Sequence, residues 1–476
     1  MESNDRITDP TLPTSDISDP TSPPEASPAT TTTPPTTTTT TSPTTTTTPA
    51  DEGAGGTEVS TEGVFRFDDG ATASVELLHI ISDIPPGGYN GFQSVITLDD
   101  GSLLASGFDA QGDGVQPERS AVWTSFYGQV WTRTGAQLSD PPGQQTIQAM
   151  FVEDGEAHAV LADVRVVDTD DGTFGAEFGV PVVWSSPDGG VTWTAESPIG
   201  DAAAIGAHVL ADGGIVLYGV ARPNSADAFA PALYRHDSGG DRWVEAIVVD
   251  AETGGDAVSP GAVIDLATDG DTWFAVGMST REDPAGRLVD GYLASAYLEG
   301  PTDPALWRSD DAGLTWSWTP LGSLTGEPGS GSIDGIVRAG DAWYVAVSRT
   351  IAYRQLTEIY RSDDGVSWSR VAHDRSTGTI SMIDTLWVGS RLAATEEYVI
   401  LTEERFDAQA GRSATVMTMV QISTGETVTR DITDDLGLTQ IEAATTTDDG
   451  RVLLFGRVER GFLSSDLQVA ELVFST

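Results

Sequence analysis

The chain has 476 residues, with 72 Asp plus Glu against 24 Lys plus Arg, a formal net charge of −48 and no cysteine. All 24 cations are arginine. That charge repels phosphate backbones and anionic lipid, which excludes nucleic acid and membrane surfaces as partners. Without cysteine there are no disulfides, zinc–thiolate sites, iron–sulfur clusters or thiol nucleophiles. Glycine, at 52 of 476, is about 11 % against a typical ~7 %, the composition of a turn-rich β protein.

Residues 1–62 contain almost nothing that could form a core. Thr30 to Thr48 is threonine interrupted only by Pro34, Pro35, Ser42 and Pro43. Such a stretch buries too little apolar surface to offset the entropy of ordering it, and its prolines favour extended conformations. It reads as a disordered tether of the kind found between a cell envelope and an exposed domain, often O-glycosylated. No charged n-region, apolar h-region or run of 18 apolar residues occurs in the chain as written. The tether on a cysteine-free acidic domain nevertheless favours export, and a removed leader is expected. The expected location is extracellular or the cell surface; the alternative is the cytoplasm. Saline surroundings also suit an acidic, lysine-free surface.

From residue 63 the chain repeats. The phase marker is an apolar run, a turn glycine and a second apolar run. Gly101, Gly155, Gly213, Gly270, Gly340, Gly389 and Gly450 occupy the turn, at spacings of 54, 58, 57, 70, 49 and 61 residues. Five of the seven read Asp-Gly, which supplies positive φ for a tight hairpin. The second runs are β-like, from Leu103-Leu104-Ala105 and Trp273-Phe274-Ala275-Val276 to Leu392-Ala393-Ala394 and Val452-Leu453-Leu454-Phe455. No segment sustains a 3.6-residue apolar period, so helix is a minor component.

Each unit continues with a variable loop and a second hairpin whose incoming strand ends in an aromatic: Trp123, Trp184, Tyr234, Trp307 or Tyr360. Ser186 to Trp193 and Ser309 to Trp316 both fit S-x-D-x-G-x-T-W, and Ser362 to Trp368 is the same turn shortened by one residue. Thr124 to Trp131 and His236 to Trp243 are degenerate copies. The Asp accepts backbone N–H groups inside the turn, Gly takes the left-handed position, and Trp packs back onto the sheet. Over about residues 64–476 the chain resembles the Asp-box, or bacterial neuraminidase repeat, proteins: sialidase-like propellers and related non-enzymatic ones.

Four strands per unit and seven units predict an all-β, seven-bladed β-propeller. The last unit, from about Thr439, supplies only three strands, and the orphan strand from Thr72 to Ile80 is expected to be its fourth. Closure by strands from both termini removes an exposed sheet edge. Six blades plus an extra hairpin is the rival arrangement. The domains are therefore a tether over 1–62 and a propeller over 63–476.

The search for chemistry is mostly negative. Asp188, Asp311 and Asp364 fall on turns of different blades, too separated to act as a carboxylate pair. The resemblance implies that the boxes lie opposite the active face and are structural. Sialidases carry an Arg-Ile-Pro near the first blade; here Asp83-Ile84-Pro85 puts an aspartate where the arginine would hold a carboxylated sugar. No catalytic residue is carried over. Tyr353 beside Arg354, and Glu397 beside Tyr398, are neighbours in sequence only. His79, His158, His208, His236 and His373 fall in different units without ligand spacing. The Asp168 to Gly172 loop offers carboxylates at alternate positions for calcium, but lacks the remaining acidic ligands and reads as a solvated loop. No metal or other cofactor is expected.

Arginines recur seven to eleven residues after the turn glycine: Arg165, Arg222, Arg281, Arg349 and Arg457 come from five units, with Arg460 also in the window. In a propeller this window leads to one face, where a partial ring of guanidinium groups would grip carboxylate or sulfate bidentately. The competing expectation is pairing with acidic neighbours such as Glu282 and Glu459. The leading function is a non-catalytic, exported, monomeric propeller that binds a glycan or protein ligand through the loops of one face. The alternatives are a glycoside hydrolase or lyase acting on acidic glycans, and a propeller resembling the photosystem assembly factors.

Overall fold

The structure is a computed structural model. It describes residues 64–81, 90–109, 119–126, 128, 130–134, 145–168, 174–178, 181–199, 202–211, 213–221, 230–236, 243–247, 261–280, 302–318, 330–351, 354–373, 391–407, 412–433, 440–447, 450–461 and 464–475. The tether lies outside the described residues.

Every described element is a strand, and the strands form seven antiparallel sheets. The first strands of the blades are Asn90–Thr97, Gln145–Glu153, Ala202–Val209, Gly261–Asp269, Ser330–Ala339, Arg391–Ala394 and Gln440–Thr446. Each lies against the first strands of both neighbouring blades, and the seventh returns to the first, so the ring is closed around an axis. Seven apolar clusters fill the seven gaps between blades. This explains why the second strands read as unbroken apolar runs: a blade is covered on both faces, so neither side of the strand needs to be polar. Trp273 and Ala275 pack toward blade 3, for instance, while Phe274 and Val276 pack toward blade 5.

The first-to-second strand turns follow the glycine marker. Gly101, Gly155, Gly213, Gly270, Gly340 and Gly450 have φ between 58° and 84°. The sixth unit departs from this. Leu392, Ala393 and Ala394 belong to the first strand, not the second, and the turn falls at Thr395–Tyr398 rather than at Gly389, which lies outside the described residues. Here the Thr395 hydroxyl accepts the N–H groups of Glu397 (3.2 Å) and Tyr398 (3.0 Å), so a side-chain oxygen closes the turn. The corrected phase also evens out the two irregular spacings on either side of it.

The second hairpins are built as the motif requires. Asp311 Oδ1 accepts Thr315 N–H at 2.8 Å, Thr315 Oγ1 donates to Oδ2 at 2.6 Å, Ser309 Oγ accepts Gly313 N–H at 2.9 Å, and Trp316 Nε1 donates to Gly313 O at 3.0 Å. Asp188 repeats the pattern with Thr192, Ser186 and Trp193, and Asp364 takes Val366 and Ser367 N–H groups at 2.8 and 2.7 Å. These donors hold all three carboxyls below the usual range, that of Asp364 at about 2. Arginines then tie blade to blade. Arg235 lies over the Trp273 ring and donates to Ala312 O at 2.9 Å, and Arg308 lies over Phe274 and donates to Asp364 O at 3.3 Å.

Blade 7 closes the ring with strands from both ends, in the order Gln440–Thr446, Val452–Gly461, Ser464–Ser475, Thr72–Ile81 and Val64–Arg66. The fifth strand was not anticipated. It brings Phe65 and Phe67 into the cluster between blades 6 and 7, with Arg430 over the Phe65 ring at 5.6 Å. Asp68 N–H donates to the Glu426 carboxylate, and Gln421 Nε2 donates to Asp69 at 2.7 Å.

Candidate binding face and axis

The ring has two unlike faces. One carries the glycine turns and the Asp-held hairpins, all short. The other carries the second-to-third strand loops and the blade-to-blade connections, most of which lie outside the described residues. Arg222 and Arg281 are among these, as are Asp83 to Pro85, Tyr353 and residues 169–173 of the acidic loop. Arg165 stands on the extended second strand Glu156–Asp168 of blade 2, opposite Glu177.

Arg349 and Arg457 stand on the second strands of blades 5 and 7, each held by a carboxylate of its own blade. Arg349 Nη2 is 2.5 Å from Glu358 Oε2 and 3.1 Å from Tyr360 Oη. Arg370 Nη1 reaches Glu358 Oε1 at 2.7 Å, and Tyr360 Oη donates to Oε2 at 3.0 Å. Burial alone would raise the Glu358 carboxyl; Arg370 and Arg349 outweigh it and hold it low. Burial and that carboxylate push the Tyr360 phenol up to about 12, and the phenol donates its proton to Glu358. Arg457 Nη1 is 3.2 Å from Glu442 Oε1.

Glu442 was missed by the sequence reading, and so was the pattern it belongs to. Six of the seven first strands break register in their early half, between Phe92 and Ser94, Ile147 and Ala149, Ala204 and Gly206, Val263 and Asp265, Ile333 and Gly335, and Ile441 and Ala443. The extra residues include Gln93, Gln148, Asp334 and Glu442. A bulge re-aims a side chain and frees main-chain groups from the ladder. Glu442 Oε2 uses this to accept Phe92 N–H from blade 1 at 2.6 Å, and Arg391 Nε of blade 6 donates to Glu442 O at 2.6 Å. In blade 4, Asp265 Oδ2 accepts Ile336 N–H of blade 5 at 2.9 Å, while Tyr218 of blade 3 donates to Oδ1 at 3.3 Å.

Arg391 also acts electrostatically on Asp265 across an intervening blade, which is possible only near the axis. Burial raises Asp265 to about 6 and Glu442 to about 7, against the pull of N–H donors and arginines. Asp265 keeps part of its surface accessible although protein surrounds it, as expected beside a narrow axis. Both carboxylates are committed to main-chain donors of neighbouring blades, so they lock the ring at the loop-face end. A polar residue interrupting the apolar run six to eight positions before the turn was the available signal for Gln93, Gln148, Asp334 and Glu442.

The remaining candidates stay apart. Glu397 is exposed while Tyr398 is buried and stacked on Phe474 at 4.9 Å. His158 stacks on Phe151, His208 meets Thr268, and His236 pairs with Glu153 at 3.0 Å. Among the described residues no group of three or more potential ligands is placed to hold a metal, and no helix is long and apolar enough to cross a membrane.

Fold and site together define an all-β, seven-bladed β-propeller with a scaffold face, a loop face and a polar collar at the axis. No family model and no curated protein sequence matches the chain. Among solved structures it is similar to YCF48 bound to a D1 peptide, with a TM-score of 0.47 and 12 % identity over 86 % of this chain and 98 % of that one. An α-L-arabinofuranosidase of Fusarium graminearum with arabinobiose matches at 0.41 and 12 %, over 73 % and 98 %. The NanB sialidase of Streptococcus pneumoniae matches at 0.37 and 11 %, over 84 % and 70 %. What those proteins bind or cleave remains theirs.

Proposed function

We propose that the chain is a non-catalytic propeller of the Asp-box kind, displayed outside the cell on its threonine–proline segment and binding a glycan or protein through the loop face. The observation that carries this reading is the asymmetry of the two faces. Among the described residues, turn-face connections are short and closed by hydrogen bonds within the blade. Connections of the other face span residues 281–301 in blade 4 and 374–390 between blades 5 and 6. Long connections on a rigid scaffold are where recognition concentrates.

Arg165, Arg349 and Arg457 stand on second strands that run toward this face, and Arg222 and Arg281 follow such strands in the sequence. A carboxylated or sulfated ligand would share Arg349 and Arg457 with Glu358 and Glu442. The test measures turnover of fluorogenic sialosides and uronic-acid polymers alongside binding to an acidic-glycan array at low and high salt. Salt-sensitive binding without turnover, weakened further in Arg222→Ala combined with Arg349→Ala, supports the proposal. Turnover that disappears when loop-face carboxylates are replaced makes the protein a hydrolase or lyase instead.

A further inference from the structure

The turn face carries an apolar pattern that its hairpins do not need. Among the described residues seven large apolar side chains are exposed, and six of them stand at the turns of this face, between 46 and 74 % exposed. They are Phe126 and Val130 in blade 1, Val191 in blade 2, Val209 in blade 3, Leu314 in blade 4 and Val366 in blade 5. The seventh, Leu77, lies on a strand of blade 7. Single exposed apolar residues need no explanation, but recurrence at one level of five consecutive blades does. Val191, Leu314 and Val366 occupy the same place, directly after Gly190, Gly313 and Gly365. The bonds of these turns are made by Ser, Asp, Gly, Thr and Trp, and the side chain after the glycine takes part in none of them. A polar residue would serve the turn equally well.

The level is held rigidly. Arg235 of blade 3 binds the Ala312 carbonyl in the turn of blade 4, and Arg308 of blade 4 binds the Asp364 carbonyl in the turn of blade 5. The apolar points are thus presented at fixed spacing, so little ordering entropy is lost on contact. Around them the face is acidic. Exposed carboxylates stand beside the first-to-second turns of five blades, at Asp99, Asp154, Asp271, Asp341 and Glu396, and among the described residues none of the five is ion-paired. Arg308, Arg338 and Arg361 of the same face are taken by Asp310, Asp269 and Asp363.

That charge selects the occupant. A second copy of the chain, at −48, is repelled, as are anionic lipid and nucleic acid. The chain's own residues 1–63, with ten Asp plus Glu against one Arg, are repelled too. We propose that the turn face of blades 1–5 docks a basic protein. Its lysines and arginines meet the carboxylates, while apolar side chains between them cover Val191, Leu314 and Val366. This surface lies opposite the loop face and stands whether or not that face binds a glycan.

The probes are fluorescein-labelled poly-lysine and a lysine–phenylalanine copolymer of equal length, titrated with the full chain by fluorescence anisotropy. Both should weaken as salt is added, with the copolymer binding about tenfold tighter or more throughout. Val191→Ser combined with Leu314→Ser and Val366→Ser should bind the two polymers alike, and its unchanged urea midpoint would show the turns intact. Leu77→Ser, away from this face, should keep the preference. Asp154→Asn combined with Asp271→Asn and Asp341→Asn should weaken both polymers and also keep it. A copolymer preference that survives the triple serine variant overturns the proposal, as does unchanged affinity in the triple asparagine variant. So does binding to neutral phosphatidylcholine vesicles, or self-association, that is lost in the triple serine variant, because the face then serves a membrane or a second copy.

Discussion

Replacing Glu442 by Gln removes a charge from the collar while keeping an oxygen for Phe92 N–H. Burial raises this carboxyl from 4.5 to about 7, with Arg457 and Arg391 opposing the rise and Glu404 adding to it. The folded protein therefore holds the proton more tightly than the unfolded chain, and stability falls as pH rises from 4.5 through about 7. Integrated from pH 5 to pH 8, Glu442 alone removes roughly 2–3 kcal/mol, and Asp265, raised from 3.8 to about 6, removes roughly 1–2 kcal/mol. Asp188, Asp311 and Asp364 work in the opposite sense, but only at pH below their ordinary value of 3.8. His208, lowered by burial, also opposes the trend, equally in wild type and variant. Urea unfolding followed by tryptophan fluorescence at pH 5, 6.5 and 8 gives the slopes. Wild type should gain stability on acidification, and Glu442→Gln should lose roughly 2–3 kcal/mol of that gain. Parallel slopes would mean that Glu442 is ionised throughout, and the burial argument would fail.

Trp316→Ala should cost about 3–5 kcal/mol in the same urea assay, the range for truncating a buried large aromatic. Gly365→Ala places a Cβ 2.2 Å from Phe274 Cζ at φ +70°, whereas Gly425→Ala has φ +74° and nothing within 4 Å. Both incur the left-handed strain of about 1–2 kcal/mol, and only the first should add about 1–3 kcal/mol of overpacking. Equal midpoints for the two would contradict the packing account. Phe65→Ala should cost about 3–5 kcal/mol although it lies on the three-residue outermost strand, because it is fully buried. A change under about 0.5 kcal/mol would show that the clasp of 64–71 is dispensable.

The blade count and the closing strand were legible because positive-φ glycine and the Asp-held turn are local devices, written in adjacent residues. Blade 6 was misphased for the same reason. Its turn uses Thr395 in place of glycine, so the nearest glycine, Gly389, marks the wrong place. The fifth strand escaped notice because three residues, Val64 to Arg66, carry no periodicity; they are placed by Phe65 and Phe67 finding blade 6. The collar was least legible. A bulge adds one residue to one strand, and only the partner strand's register reveals it. Spacing led to Arg349 and Arg457, but their carboxylate partners Glu358 and Glu442 lie nine and fifteen residues away in sequence and meet them only across the ladder.

Each of the first six blades is a local meander, whereas the bond from Thr72 Oγ1 to Ser475 O spans 403 positions. Loop closure on that scale costs roughly 5 kcal/mol by the logarithmic chain law, against little more than 1 kcal/mol for a tight hairpin. Blade 7 therefore assembles last, after six blades have formed and brought its two ends within reach. Until then Ser464–Ser475 waits as an apolar strand without its outer neighbour, the species most exposed to mispairing. Refolding should show a slow phase that reports on blade 7 alone. A circular permutant joining Ser475 to Val64 and opened in the 281–301 connection should lose that phase, because its closing strand becomes a near neighbour in the chain.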